Sequence, residues 1–324
     1  MRQRANVYRR RRLRALGVVA AAAALAGGAV GAGSDDSSRP ARLSSAGGGD
    51  TADAKAKPKP KPKPAELPLG GRRIFPDYRV VAYYGAPQSH ALGALGIGSP
   101  DAAVRRLRRQ ARPYAKKTRP VLLALELIVT VANAAPGEDG LYRTQQPHAV
   151  VRRYLRAARR AKALLILDIQ PGHAAFMDET RHLDRWLREP DVGLALDPEW
   201  LTPGAQPGTV IGSVDASKIN QVARHVAAIV REHDLPEKLF VVHQFTPDMI
   251  RGKSEVIKPR GLAVTMNVDG FGNRANKVSK YHQFTHDGTS FNDGYKLFYE
   301  EDTGLMRPRS VLALQPPPDL IVYE

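Results

Sequence analysis

From residue 78 onward, short runs of large apolar residues alternate with small or polar ones. In one of them, VGLALDPEW, large apolar residues occupy one face, and the other face carries Gly193, Ala195, Asp197 and Glu199. Because successive side chains of a strand point to opposite sides, this pattern predicts a strand with one thickly apolar face. Its other face is small at first and acidic at the C-terminal end.

Seven further segments share this character. The eight predicted strands are Tyr78–Gly85, Val121–Val129, Ala163–Gln170, Val192–Glu199, Lys238–Phe245, Gly261–Gly270, Tyr295–Asp302 and Ser310–Gln315. Segments with apolar residues at the helical period lie between several of them, at Asp101–Lys116, Pro147–Lys162, Asp178–Arg188 and Ala216–His233. Strands that alternate with helices indicate parallel pairing, and eight of them in about 250 residues predict an α/β fold, the (β/α)₈ TIM barrel.

The N-terminal region has a different composition from the barrel region. An Arg-rich start precedes an Ala-rich apolar run, so residues 1–32 are expected to be a signal peptide cleaved after Ala32 or, alternatively, an uncleaved membrane anchor. Residues 33–74 include KAKPKPKPKP and are expected to be a disordered linker, which leaves 75–324 as the barrel domain. We therefore expect a secreted protein, or one held at the outer face of the membrane or in the cell wall.

The charge of the chain is unevenly distributed. The net charge is +17, but 16 of the 49 Lys and Arg residues lie in the first 75 positions, against five of the 32 acids. The basicity is thus largely a property of the tail, and no nucleic-acid partner is expected. The Lys-Pro linker could contact an anionic cell-wall polymer, and the membrane would be contacted only through an uncleaved anchor. The chain has no Cys, which excludes disulfides.

Polar residues occupy the inward face near the C-terminal end of nearly every predicted strand. They are Tyr84, Glu126, Asp168, Gln170, Asp197, Glu199, His243 or Gln244, Asn267, Asp269, Glu300 or Glu301, and Gln315. These ends meet at the face where barrel enzymes place their active sites. Buried carboxylates are costly, so the cluster indicates a functional site rather than a packing core.

Carboxyl groups crowded in one cleft can differ in pKa, so that one donates a proton while another stays ionised. With hydroxyl-binding side chains and with Trp200 as a stacking platform, these groups fit glycosidic bond cleavage. Glu199 reaches furthest into the mouth and is the candidate proton donor. Simpler roles also exist, because Asp197 could cap a turn before Pro198, Trp200 could cover the barrel end, and His243 could be a hydrogen-bonded core residue.

With these residues the chain resembles the broad class of barrel glycoside hydrolases. In one large clan of that class a Glu closing strand four is the acid/base and a Glu closing strand seven is the nucleophile. The resemblance thus implies Glu199 as acid/base and Glu300 or Glu301 as nucleophile, although this chain has Asp-Pro-Glu where that clan has Asn-Glu. Asp197-x-Glu199 also resembles the end of the chitinase family's Asp-x-x-Asp-x-Asp-x-Glu, with Val192 and Ala195 at the earlier positions. The chain is further similar to uncharacterised secreted actinobacterial proteins.

Three function classes remain open at this point. The favoured class is a glycoside hydrolase-like barrel acting on polysaccharide or cell-wall glycan, without a cofactor or a metal. The second is a non-catalytic barrel that binds a carbohydrate ligand, since a fold does not imply an activity. The third is a metal-assisted hydrolase, in which a divalent ion is held by some of Asp168, Asp197, Glu199, His243 and Asp269.

Overall fold

The computed structural model describes residues 63–324, and eight of its strands form a closed barrel. The barrel strands are β1 (Arg79–Gly85), β2 (Val121–Ala132), β3 (Leu164–Ile169), β4 (Val192–Leu196), β5 (Lys238–Gln244), β6 (Leu262–Val268), β7 (Asn292–Leu297) and β8 (Leu320–Tyr323). Each strand pairs in parallel with the next, and β8 pairs in parallel with β1. The predicted (β/α)₈ barrel is confirmed.

Helices connect the strands around the outside of the barrel. In chain order they are α1 (Pro100–Ala111), α2 (His148–Arg160), α3 (Phe176–His182), α4 (Asp184–Leu187), α5 (Ala216–Glu232), α6 (Arg274–Thr285) and α7 (Pro308–Leu312). The link from β5 to β6 lies wholly within the described residues and has 3₁₀ turns at Pro247–Met249 and Lys253–Glu255 in place of an α-helix. No helix among residues 63–324 is long and apolar enough to cross a membrane.

Three short strands lie outside the barrel. Arg143–Gln145 pairs antiparallel with the end of β2, where Thr130 faces Gln145. Val214–Asp215 pairs in parallel with Ile250–Arg251. The first of these pairings involves the last residues of β2. It lies at the barrel mouth, by which we mean the C-terminal end of the barrel strands.

The alternating strand pattern separates two apolar layers. Residues such as Val81, Leu165 and Leu194 belong to a layer that the strands share with the helices, for example with Leu107, Leu155 and Val226. Their alternates, such as Ala82, Ala124 and Ala195, belong to a second cluster that fills the barrel interior. The predicted inward and outward faces of strands one to four and six are confirmed.

The barrel is closed at its N-terminal end by a segment that the sequence analysis assigned to the linker. Leu67, Ile74 and Phe75 are buried in the interior cluster, next to the first inward residues of several strands. The boundary at residue 74 was therefore wrong, because the apolar residues of 67–75 cover the open end of the barrel. The predicted signal or anchor of 1–32 and the rest of the linker up to residue 62 lie outside the described residues.

The predicted eighth strand was also wrong. Ser310–Gln315 lies in α7 and the turn after it, while β8 follows the Pro316–Pro318 run. Both segments are apolar and short, but only Leu320–Tyr323 is buried throughout and pairs with β1 and β7. Strand seven lies earlier than predicted, at β7, and strand four ends at Leu196 rather than Glu199.

Candidate active site

Most of the predicted inward polar residues meet at the barrel mouth. Tyr84, Glu126 and Asp168 come from β1, β2 and β3, Gln170 follows β3, Asp197 follows β4, and all five are buried. His243 of β5, Asn267 of β6 and Asp269 after β6 complete this set, and they are buried too. Parallel strands bring these positions together because their C-terminal ends lie at one end of the barrel.

His243 lies at the centre of the cluster. Its Nε2 is 3.1 Å from Oε1 of Glu126 and 3.7 Å from Oδ1 of Asp168, and its Nδ1 is 3.2 Å from Oδ2 of Asp269. The amide nitrogen of Asn267 also lies 3.2 Å from Nδ1. Burial alone would lower the pKa of His243, but its contacts with Asp269 and Glu126 outweigh burial and raise it.

Lys296 is a buried member of the site that the sequence analysis missed. It holds the inward position of β7, where Glu300 or Glu301 was expected, and its Nζ contacts Oδ2 of Asp269 at 3.1 Å and Oε2 of Glu324 at 2.8 Å. The same nitrogen lies 3.6 Å from the centre of the Tyr84 ring. Burial lowers the pKa of Lys296, but the two carboxylates outweigh it and raise it. A strand register that begins at Asn292 would have found this lysine.

A hydrogen-bonded chain fixes the carboxyl group of Asp168. The Tyr84 hydroxyl donates to Oδ2 of Asp168 at 3.0 Å, and the Gln170 amide donates to the Tyr84 oxygen at 2.9 Å. Burial, together with the negative charge of Glu126, raises the pKa of Asp168 to about 7, against the opposing effect of His243. Burial likewise raises the pKa of Tyr84, so its hydroxyl remains a donor.

Asp197 and Asp269 lie at the mouth in opposite electrostatic environments. Burial raises the pKa of Asp197 well above its ordinary value, and the charges of Asp168 and Glu199 add to that effect. Burial would also raise the pKa of Asp269, but Lys296, His243 and the Gly270 amide, which donates to Oδ1 at 2.7 Å, lower it strongly. One carboxyl group is thus suited to carry a proton and the other to stay ionised.

Several buried oxygens in this cluster have no hydrogen-bond partner among the described residues. They are Oε2 of Glu126, Oδ1 of Asp168, Oδ1 of Asp197 and Oδ1 of Asn267. A buried acceptor without a partner costs about 1–3 kcal/mol. Such a concentration at one place is typical of a site that holds a ligand or performs chemistry.

The remaining predicted site residues occupy other positions. Gln315 is exposed in the turn after α7, five residues before β8 begins, so its predicted inward position was wrong. Glu300 is exposed and Glu301 half-buried in the turn that follows β7, so the predicted inward strand-seven position was wrong for both. Glu199 lies half-buried at the mouth, in the 3₁₀ turn Pro198–Trp200 rather than in β4.

Trp200 is only 8% exposed and packs beside Ala132 and Ala134 at the end of β2. Most of its surface therefore stabilises the loops around the mouth. Its predicted role as a sugar platform stays a prediction, and it requires the ring to become exposed when a substrate binds.

The interior of the mouth carries an excess of acids. Five carboxyl groups converge there, from Glu126, Asp168, Asp197, Asp269 and Glu324, against two basic groups, His243 and Lys296. Lys280 of α6 adds a positive charge near Asp269 and Glu199 from outside the barrel. Glu126, Asp168 and His243 also offer three ligand atoms that all lie within 4.8 Å of one another, a grouping that could hold a metal ion.

Comparisons with known proteins add little to this description. No family model and no curated protein matches the chain. Among solved structures, the chain is similar to the wild-type sialic acid aldolase of Ruminococcus gnavus at 12% identity and a TM-score of 0.39, over 76% of this chain and 68% of that chain. The strand pairing of this chain by itself shows the closed barrel.

Proposed function

We propose that this protein is a hydrolase that cleaves glycans at the mouth of its barrel, with Asp197 as the proton donor and Asp269 as the ionised carboxylate. The observation that carries the proposal is the set of five carboxyl groups, four of them buried and Glu324 half-buried, with only two basic groups at the end of the barrel where active sites lie. A packing core gains nothing from such a set, because each buried carboxylate without a full set of partners costs free energy.

Glycosidic cleavage uses the properties of this set directly. The bond breaks through a transition state with positive charge on the sugar ring, which surplus carboxylates stabilise. A protonated carboxyl group gives its proton to the leaving oxygen, and water then supplies the hydroxyl of the new reducing end and gives its other proton to a carboxylate of the site. Asp197 and Asp269 fit the donor and the charged partner, and their oppositely shifted pKa values support these roles.

Burial separates the residues that a glycan could contact from those it could not. Glu126, Asp168 and Asn267 are fully buried, whereas Asp197 is 3% exposed, Asp269 and Gln170 are each 6% exposed, and Glu199 is half-buried at the mouth. The glycan would therefore meet Asp197, Asp269, Gln170 and Glu199. The deeper residues would act on it only through these outer side chains. This assignment moves the proton donor from Glu199, which the sequence favoured, to Asp197.

The test measures new reducing ends and binding on the same panel of polysaccharides and cell-wall glycans. We expect the wild type to hydrolyse at least one glycan, and Asp197→Asn to lose turnover at least about 10²-fold while it still binds, because the amide keeps the shape but has no proton to transfer. Glu199→Gln should retain more activity than Asp197→Asn. Glu232→Gln, an exposed change at the end of α5, is the matched control and should equal the wild type.

Each other outcome has a definite meaning. Equal turnover by wild type and Asp197→Asn would remove Asp197 from the mechanism. A wild type that binds a glycan and yields no reducing ends would support the glycan-binding barrel instead. A wild type that neither binds nor cleaves any member of the panel would overturn the proposal of a glycan substrate.

We further propose that the chain is exported and that its Lys-Pro linker contacts an anionic wall polymer. Both proposals rest on sequence features before residue 63, the Arg-flanked apolar run and the alternating Lys and Pro residues. N-terminal sequencing of the protein from culture medium and from the cell envelope should begin after Ala32. A chain that is recovered from the cytosol with its Arg-rich start intact would contradict export.

A further inference from the structure

Three polar residues buried in the barrel, Glu126, Asp168 and His243, take no direct part in the proposed glycan hydrolysis at the mouth. Glu126, Asp168 and His243 are 0%, 0% and 1% exposed, and a sugar cannot reach them past the mouth residues. Two of their carboxylate oxygens, Oε2 of Glu126 and Oδ1 of Asp168, have no hydrogen-bond partner in residues 63–324. A ligand that satisfies them must be small, and a cation would offset their negative charge as well.

We propose that Glu126, Asp168 and His243 bind one divalent transition-metal ion, of the Zn²⁺ or Mn²⁺ class, inside the barrel. The three offer ligand atoms that all lie within 4.8 Å of one another. This proposal goes beyond glycan hydrolysis and does not depend on it, because metal binding is measured without any glycan.

The distances between the ligand atoms suit a single ion. Two atoms held about 2.1 Å from one metal at roughly 90–110° are about 3.0–3.4 Å apart. Nε2 of His243 lies 3.1 Å from Oε1 of Glu126 and 3.7 Å from Oδ1 of Asp168. The first distance lies within this range and the second lies about 0.3 Å above it, so the ion would draw Asp168 slightly closer.

The groups behind the three side chains are those that orient metal ligands. Oδ2 of Asp269 lies 3.2 Å from Nδ1 of His243, so the proton can stay on Nδ1 while Nε2 faces the ion. The Tyr84 hydroxyl donates to Oδ2 of Asp168 and leaves Oδ1 free. A histidine backed by a carboxylate and a carboxylate backed by a hydroxyl are typical of the residues that support a metal site.

The ligand types define the class of ion. One imidazole and two carboxylates suit Zn²⁺, Mn²⁺ and Fe²⁺, whereas Ca²⁺ takes six to eight oxygens. Two carboxylates and one neutral imidazole also balance the double charge of the ion. Three protein ligands leave coordination positions that water can fill.

The test titrates tag-free, chelator-treated full-length protein with Zn²⁺ alone by calorimetry and with Mn²⁺ alone by electron paramagnetic resonance. We expect one ion per chain and a higher melting temperature with metal. Glu126→Gln and His243→Gln should weaken binding at least about 100-fold, because each removes a ligand. Asp269→Asn, a positioning change, should weaken it by about 10–100-fold. Glu232→Gln is the matched acidic control and should bind as the wild type does.

If a variant fails to fold, metal binding by the wild type alone still tests the proposal. Chelated wild type can be given one equivalent of Co²⁺, whose visible spectrum reports nitrogen and oxygen ligands in a site of low coordination number. Absence of stoichiometric Zn²⁺, Mn²⁺ and Co²⁺ binding by the wild type would overturn the proposal. So would unchanged binding by folded Glu126→Gln and His243→Gln. In those cases His243 acts as the buried cation between Glu126 and Asp269, and the hydrolase proposal is left standing.

Discussion

At the scale of single residues, Lys296 stabilises the acidic interior of the barrel. Its ammonium contacts Asp269 and Glu324 while only 3% exposed, so its loss removes a positive charge that two carboxylates share. We expect Lys296→Met to lower the free energy of unfolding by about 3–5 kcal/mol, as does breaking other buried pairs. Adding Glu324→Gln should restore part of that loss, because one of the uncompensated charges is removed. Urea unfolding of both variants measures this, and a double variant no more stable than Lys296→Met would contradict it.

The buried side chain of Lys238 should make the stability of the protein depend on pH. Its Nζ donates to the carbonyls of Glu189 at 2.6 Å and Val192 at 2.8 Å, and burial lowers its pKa to about 7, against the opposing charges of Asp191 and Glu189. Its pKa in the unfolded chain is about 10.4, so between about pH 7 and 10.4 the unfolded chain binds more protons. The contribution of Lys238 to stability therefore rises with pH in this window, by at most about 1.4 kcal/mol per pH unit, and is lost as pH falls toward 7.

The measurement compares the pH dependence of unfolding in wild type and Lys238→Met. From pH 7 to pH 10 the unfolding free energy of the wild type should rise relative to that of Lys238→Met, since methionine does not titrate. Lys218→Met, at an exposed position of α5, is the control and should parallel the wild type. Parallel profiles for wild type and Lys238→Met would show that the buried lysine keeps an ordinary pKa.

Residue identities in the site could be predicted as far as the strand register was correct. Tyr84, Asp168, Asn267 and Asp269 follow from the alternation of small or polar residues with large apolar ones. Glu324 was missed because strand eight was placed before β8, and Lys296 was missed because the predicted strand seven ran on to Asp302, so Glu300 and Glu301 lay nearer its C-terminal end. Acids beyond the end of β7 were therefore favoured over the lysine within it.

At the scale of elements, Gly193 decides how closely β4 and β5 approach. A Cβ at this position would lie 2.6 Å from the backbone oxygen of Leu239, which cannot move without disturbing the sheet. We expect Gly193→Ala to destabilise the protein by about 1–3 kcal/mol, as in other overpacked interiors. The midpoint of urea unfolding measures this. Ala115→Ser, an equally small change at an exposed position, should be neutral, and a Gly193→Ala variant as stable as the wild type would contradict the close approach.

Elements were predictable where the apolar pattern was long and periodic. The apolar stripes of α1, α2 and α5 repeat at the helical period over 12 to 17 residues, and tertiary packing uses the same stripes. The sequence Ser310–Gln315 has too few residues to distinguish a strand from one helical turn, and the Pro run after it hid the short strand beyond. Pairing with β1 and β7 shows that the strand is Leu320–Tyr323 and not Ser310–Gln315. This pairing is a long-range contact, which a local sequence pattern cannot predict.

At the scale of the whole molecule, the barrel depends on the segment that closes its N-terminal end. Leu67, Ile74 and Phe75 are 3%, 0% and 8% exposed. Polar contacts attach the same segment to the chain before β5, since the Arg72 carbonyl accepts from the Glu237 amide at 2.8 Å and Oε2 of Glu237 accepts from the Ile74 amide at 2.6 Å. The acidic mouth, with its unpartnered oxygens, is costly to fold, so stability must come from apolar burial elsewhere.

This reasoning predicts different outcomes for two truncations. A chain of residues 63–324 keeps the whole closing segment and loses no described contact, so its melting temperature should match that of the full-length protein. A chain of residues 77–324 loses three buried apolar side chains, each contributing about 1.5–3 kcal/mol, which together approach the net stability of an ordinary domain. We expect it to be unfolded or to melt far lower. Because that chain could fail to express, Ile74→Ala in the full-length protein gives a graded measurement, with an expected loss of about 2–5 kcal/mol. Equal melting temperatures for 63–324, 77–324 and Ile74→Ala would show that the barrel closes without this segment and that its stability lies entirely between strands and helices.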